Sequence, residues 1–153
     1  MTTLRERFTA ELKTAMLARD AARVSAIRMV TARLKDVDIA ARPKGVTAVP
    51  DEEIIAMLRG MVKSRRESME MYRQGGRADL MEKEQAEIAV IEAFLPQQMD
   101  AAATEAAVAA AVAEAGAASI KDMGKVMAIL KARHGAVLDM AKVGPLVKAA
   151  LGA

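Results

Sequence analysis

Residues 50–76 read PDEEIIAMLRGMVKSRRESMEMYRQGG, and the reading of this stretch decides the fold. Ile54, Met57, Leu58, Met61, Val62, Met69 and Tyr72 recur at helical spacings, the pattern of one apolar helix face. Pro50 opens the segment at a first-turn position, where a missing amide costs nothing because the first amides of a helix have no acceptor within it. Asp51, Glu52 and Glu53 follow, placing negative charge at the positive end of the helix dipole. Gly75-Gly76 ends the pattern.

The same periodicity extends outward. Leu4, Phe8, Leu12 and Met16 are spaced by four and define a first helix. Asp20 is placed to cap a second, which carries Val24, Ile27, Leu34 and Val37 inward until Arg42-Pro43-Lys44-Gly45 stops it. Downstream, a fourth helix from about Asp79 buries Leu80, Ile88, Ile91 and Leu95 before Pro96 closes it. Composition agrees. Of 153 residues 34 are Ala and 12 are Met, so helix formers dominate. Phe8, Tyr72 and Phe94 are too few aromatics for a typical sandwich or barrel. The expected fold is all-α: a four-helix N-terminal bundle over 1–96, then a three-helix C-terminal bundle over 97–153.

Pro96-Gln97-Gln98-Met99 marks the boundary. Beyond it 12 of the 18 residues from Ala101 to Ala118 are alanine. Asp100 can cap this segment, Val108 and Val112 lie four apart, and Gly116 supplies a stop, so it reads as a thin helix packing through alanine. Ser119-x-x-Asp122 resembles a capping box for the next helix, with Met123, Val126, Met127 and Leu130 inward and Gly135 as the stop after His134. Pro145 would cost about 3 kcal/mol inside a helix. It is therefore expected to begin the last helix, after a turn from Asp139.

The tail is a tandem repeat. Asp-Met-Gly-Lys-Val-Met-Ala-Ile-Leu-Lys-Ala at 122–132 returns as Asp-Met-Ala-Lys-Val-Gly-Pro-Leu-Val-Lys-Ala at 139–149, a period of 17. It displays Lys125 with Lys142, and Lys131 with Lys148. From Lys121 onward six cations (those four with Lys121 and Arg133) face two acids, Asp122 and Asp139, for a local charge of +4. This is the candidate nucleic-acid surface. A second basic cluster, Lys63, Arg65, Arg66 and Arg77 with Arg59 and Arg73, is interrupted by Glu67 and Glu70. It reads either as a salt-bridged helix face or as an RNA-facing one.

Catalytic chemistry finds little footing. The chain has no Cys, so disulfides, thiolate sites and a Cys nucleophile are excluded, and one His leaves no His/Cys zinc set. His134 reads as a cap or surface residue of a last helical turn. Glu82, Glu84, Glu87 and Glu92 read as a solvated helix face rather than a magnesium site. Ser25, Ser64, Ser68 and Ser119 lack a visible activating base. Gly75-Gly76 lacks the lysine and hydroxyl of a phosphate loop. No cofactor is expected, and the isolated chain is expected to leave glutamine intact. The longest uncharged run, Ala106 to Ala113, is eight residues, against the ~18 a membrane span needs. The first residues lack an apolar signal core. The expectation is a cytoplasmic protein without membrane contact. The net charge of +3 leans weakly toward anionic partners.

Several segments, in order, carry a resemblance. They are Ile27-Arg28-Met29-Val30, Val62-Lys63-Ser64-Arg65-Arg66-Glu67-Ser68, Tyr72, and Gly76-Arg77-Ala78-Asp79-Leu80. Glu84, Glu87-Ile88 and Phe94-Leu95-Pro96-Gln97-Gln98 follow, and then the Asp-Met-Gly-Lys-Val motif from Asp122 with Leu146-Val147-Lys148. Together they resemble the YqeY family, of the GatB/YqeY group, over nearly the whole chain. The resemblance implies a four-helix bundle joined to a three-helix bundle. It also implies kinship with the C-terminal helical and tail domains of the B subunit of aspartyl/glutamyl-tRNA amidotransferase, whose terminal module contacts tRNA. The family's label is carbon–nitrogen ligase with glutamine as amido donor, but the catalytic portion of that subunit has no counterpart here. Three functions follow. The first is a non-catalytic module binding tRNA or another structured RNA. The second is an accessory component of the ligase, working with an amidotransferase or synthetase subunit. The third is a protein-binding adaptor with exposed Met and Ala faces.

Overall fold

The computed structural model describes residues 2–135, 137–138 and 140–152, the side chains of 140 and 141 excepted. Every regular element among them is helical. The chain forms two compact units, Met1–Leu95 and Pro96–Ala153, each with its own core.

In the first unit, α1 (Leu4–Leu17) starts at a reciprocal cap: the Thr3 hydroxyl accepts the Glu6 amide, and the Glu6 carboxylate accepts the Thr3 amide. Leu4 and Phe8 are buried as expected, but Ala15 takes the third buried position and Met16 is 51% exposed. Helical phase explains the correction. Seven residues beyond Phe8 is about 20° short of two full turns, whereas eight overshoots by about 80°. Arg19 then reverses the chain with φ +56°, a left-handed conformation that a Cβ disfavours. Arg19→Gly is expected to raise stability by about 1 kcal/mol in urea titration. A loss would mean that the arginine side chain holds the turn.

Asp20 caps α2 (Ala21–Ala41) by accepting the Arg23 amide. Ala26, Ile27, Val30 and Leu34 form its buried face. A 3-10 turn, Arg42–Lys44, ends at Gly45 with φ +78°. Pro50 stands one residue ahead of α3 (Asp51–Gln74), and Gly76, with φ +69°, turns the chain into α4 (Ala78–Glu92). Phe8, Ile27, Ile54, Leu58, Ile88 and Ile91 are fully buried, each worth about 1.5–3 kcal/mol of transfer free energy. Phe8 meets Phe94 edge to face with centroids 4.8 Å apart, and Arg7 lies over the Phe94 ring.

In the second unit, α5 (Ala101–Ala115) is capped by Asp100, whose carboxylate accepts the Ala103 amide at 2.7 Å. Its buried face is Ala107, Val108 and Ala111, small side chains that permit close helix approach, and Gly116 ends it with φ +61°. A 3-10 turn, Ile120–Asp122, precedes α6 (Met123–His134), and α7 is Met140–Ala150. Two expectations are corrected. Ser119 makes no side-chain cap; the Asp122 carboxylate instead reaches back to the Ala118 amide. Pro145 lies inside α7 and does not begin it. A continuous helix places Val143 and Val147, one turn apart, in the core with Leu138, and this burial offsets the lost hydrogen bond. Asp139, where the second repeat copy begins, lies outside the described residues.

Limited subtilisin digestion is expected to cut first within 96–100, the helix-free segment between α4 and α5. First cleavage inside α2 or α3 would contradict that expectation.

Candidate nucleic-acid interface

The repeat governs how α6 and α7 face their core. Val126 and Leu130 are buried in the first copy, and Val143 and Val147 are buried at the same offsets in the second. Lys125 precedes Val126 by one residue and Lys131 follows Leu130 by one. At 100° per residue, each lysine points about 120° from the core-facing direction, on opposite sides. Lys142 and Lys148 repeat this placement on α7. All four are exposed, as is Lys121 in the 3-10 turn. None of these five lysines enters an ion pair among the described residues.

Arg133 behaves differently. Its guanidinium pairs with Glu114 of α5, so a cation assigned to the ligand surface serves helix–helix packing as well. Glu105 and Glu114 are the only charges between Ala101 and Ala118. That isolation on an alanine helix is the sequence signal that could have found the partner.

The cluster on α3 is largely neutralised. Arg65, with its side chain 16% exposed, donates from Nε to Glu87 at 3.2 Å, with Glu84 at 4.0 Å, and from Nη1 to the Met61 carbonyl. Arg66 pairs with Glu92 at 2.7 Å, Arg73 with Glu70, and Arg77 with Asp79 at 3.0 Å. The Arg73 and Gln74 hydrogen bonds pull the Glu70 carboxyl down to about 2, and Arg77 lowers Asp79. Lys63 is exposed and has no ion pair among the described residues. The planar guanidinium suits such fixed carboxylate pairing, whereas the lysine ammonium remains a mobile, hydrated charge. Glu84, Glu87 and Glu92 thus act as partners across the α3–α4 hairpin.

The remaining candidates are local. The Ser68 hydroxyl donates to the Ser64 carbonyl within α3. His134 sits at the end of α6, where its carbonyl accepts the Val137 and Leu138 amides. Among the described residues, no three His, Asp or Glu side chains gather as metal ligands.

A family model described as Yqey-like protein matches residues 5–151. The chain belongs to the YqeY family. Among curated proteins, this YqeY chain is similar to three fungal proteins that share one name, "Altered inheritance of mitochondria protein 41, mitochondrial". The one from Eremothecium gossypii is 36% identical over 97 residues, 63% of this chain and 51% of that protein. The one from Lachancea thermotolerans is 31% identical over 87 residues, 57% and 45% respectively. The one from Pyrenophora tritici-repentis is 30% identical over 88 residues, 58% and 46%. The chain spans about half the length of these relatives.

Their shared name overturns the cytoplasmic expectation, since all three relatives are named as mitochondrial proteins. That expectation rested on the lack of an apolar span and signal core, which does not discriminate between aqueous compartments. No single helix among the described residues is long and apolar enough to cross a membrane.

Proposed function

We propose that this YqeY chain is a non-catalytic module that binds tRNA through the lysines of its second unit. In this reading an N-terminal bundle of four helices, residues 1–96, is followed in the chain by a C-terminal bundle of three, residues 97–153. The observation that carries it is the contrast between two sets of cations. Lys121, Lys125, Lys131, Lys142 and Lys148 are exposed outside any ion pair among the described residues, while Arg65, Arg66, Arg73 and Arg77 are held by carboxylates. Free ammonium groups bind phosphates by releasing condensed counterions, without needing base-specific geometry. The resemblance of the tail to that of the amidotransferase B subunit supports tRNA as the RNA class. With two Phe, one Tyr and no Trp, the chain offers little for stacking unpaired bases, which favours the shape of a folded RNA.

The test is a gel-shift titration of the full chain with unmodified tRNA and with poly(U). Binding to tRNA that exceeds binding to poly(U), with log affinity falling linearly as log salt rises, is the expected result. No tRNA complex at low salt would end this reading.

A further inference from the structure

Helices α2 and α3 run antiparallel. At one end Asp38 accepts the Val49 amide at 2.9 Å, just ahead of α3; at the other an Arg65 guanidinium nitrogen lies 3.6 Å from the Met29 sulfur. Between these ends they leave an open groove of about 810 Å³. Its walls are one helical stripe from each side, Met29, Arg33 and Asp36 on α2 and Met57, Gly60 and Met61 on α3. Gly60 is the informative residue. Glycine is the poorest helix former apart from proline, yet it sits inside the 24-residue α3, where an added Cβ would meet nothing within 4 Å. No close packing within the chain requires it. What it does is lower the groove wall, so that another backbone can come close.

The charge of the groove is equally specific. Asp36 and Glu53 line it, are exposed, and take no ion pair among the described residues. Arg65 at the far end is already covered by Glu84 and Glu87, which leaves Arg33 as the only unpaired cation among the described lining residues. With Arg65 neutralised from α4, two exposed carboxylates, Asp36 and Glu53, stand against one uncovered guanidinium, Arg33, among the described lining residues. A groove walled by two helices, lined with three adaptable methionines and left with an excess of one carboxylate once Arg65 is paired, has the form that accepts a helix, and its charge favours a basic one.

We propose that the α2–α3 groove seats a basic amphipathic helix of a partner protein. Apolar side chains of that helix lie on Met29, Met57 and Met61, a small residue crosses Gly60, and Lys or Arg faces Asp36 and Glu53. The proposal is independent of RNA binding by the second unit.

The probe is a synthetic amphipathic peptide of about 15 residues, roughly four helical turns, with leucine on one face and lysine on both flanks. Its counterpart has every lysine replaced by glutamate. Fluorescence anisotropy with the full chain is expected to give micromolar binding of the lysine peptide and at least about tenfold weaker binding of the glutamate peptide, each tenfold being one decade of Kd. Gly60→Phe, which fills the gap at a position open to solvent, is expected to weaken the lysine peptide at least about tenfold, with helicity and melting retained. Asp36→Lys with Glu53→Lys is expected to reverse the preference between the peptides. The proposal is overturned if the lysine peptide does not bind. It is equally overturned if neither the filled groove nor the reversed rim alters its affinity.

Discussion

Replacing Lys125, Lys131, Lys142 and Lys148 together by glutamate is expected to lower tRNA affinity on the order of a thousandfold near physiological salt, if each lysine neutralises one phosphate. Each contact contributes about 0.9 to the slope of log affinity against log salt, which at 0.15 M corresponds to roughly fivefold in affinity. If only one repeat-related pair reaches the RNA, the loss should be about thirtyfold and the slope should fall by about two units. Lys125→Glu with Lys142→Glu, set against Lys131→Glu with Lys148→Glu, identifies the pair, because the two lysines of each helix lie on opposite sides of its outer surface. Stability should change by less than ~0.5 kcal/mol per site, since the four side chains are exposed and outside ion pairs among the described residues. Lys63→Glu, the reversal of an exposed lysine of the first unit that is likewise outside ion pairs among the described residues, serves as the control and should change affinity little. Unchanged tRNA binding after all four reversals would make the tail a solvated face and remove the basis of the proposed function.

Asp38→Ala is expected to be the most destabilising of the single changes considered. The Asp38 carboxylate accepts two hydrogen bonds from Arg5, at 2.9 and 2.8 Å, and the Val49 amide at 2.9 Å, while Arg5 also donates to the Val49 carbonyl at 3.0 Å. This one group ties α1 to α2 and to the loop entering α3. Its side chain is 18% exposed and that of Arg5 is 35% exposed, so solvent screens the pair in part. A fully buried pair would lose 3–5 kcal/mol on removal of one partner; here a loss of about 2–3 kcal/mol is expected in urea titration at pH 7. The Arg5 hydrogen bonds, followed by the Val49 amide, pull the Asp38 carboxyl down from 3.8 to about 2. A carboxylate with a depressed pKa contributes stability that is complete above its unfolded value and is lost as pH falls through its folded value. The difference between the native chain and Asp38→Ala should therefore be constant above about pH 5 and shrink between about pH 4 and pH 2. A difference that persists undiminished at pH 2 would show that packing, rather than the charge-assisted network, is what Asp38 supplies.

The helices were legible wherever a local rule dominated. α3 announced itself by its stripe, its acidic first turn and its terminal glycines; Asp20 and Asp100 cap as side chains of that type do. Each corrected position has its own physical cause. Met16 lost its place to Ala15 because four-residue steps drift around a real helix. Pro145 entered α7 because burial of Val143 and Val147 outweighed a local penalty. Ser119 makes no side-chain cap, and the local bond formed there is from the Ala118 amide to Asp122.

The candidate surface divides in the same way. By itself the sequence determined the all-α class, the family, and a repeat that sets both buried valines and exposed lysines at equal offsets in two helices. Those properties follow from helical period and residue type, which act within a few positions along the chain. Only the tertiary structure decided which cations remain available. Arg133 is taken up by Glu114 and Arg65 by Glu87, partners 19 and 22 residues away, while the tail lysines stay out of ion pairs among the described residues. The α2–α3 groove likewise comes from two segments whose proximity no local pattern encodes. An ion pair or a groove depends on where a second helix lies, and a single helix's periodicity carries no information about its neighbour's register.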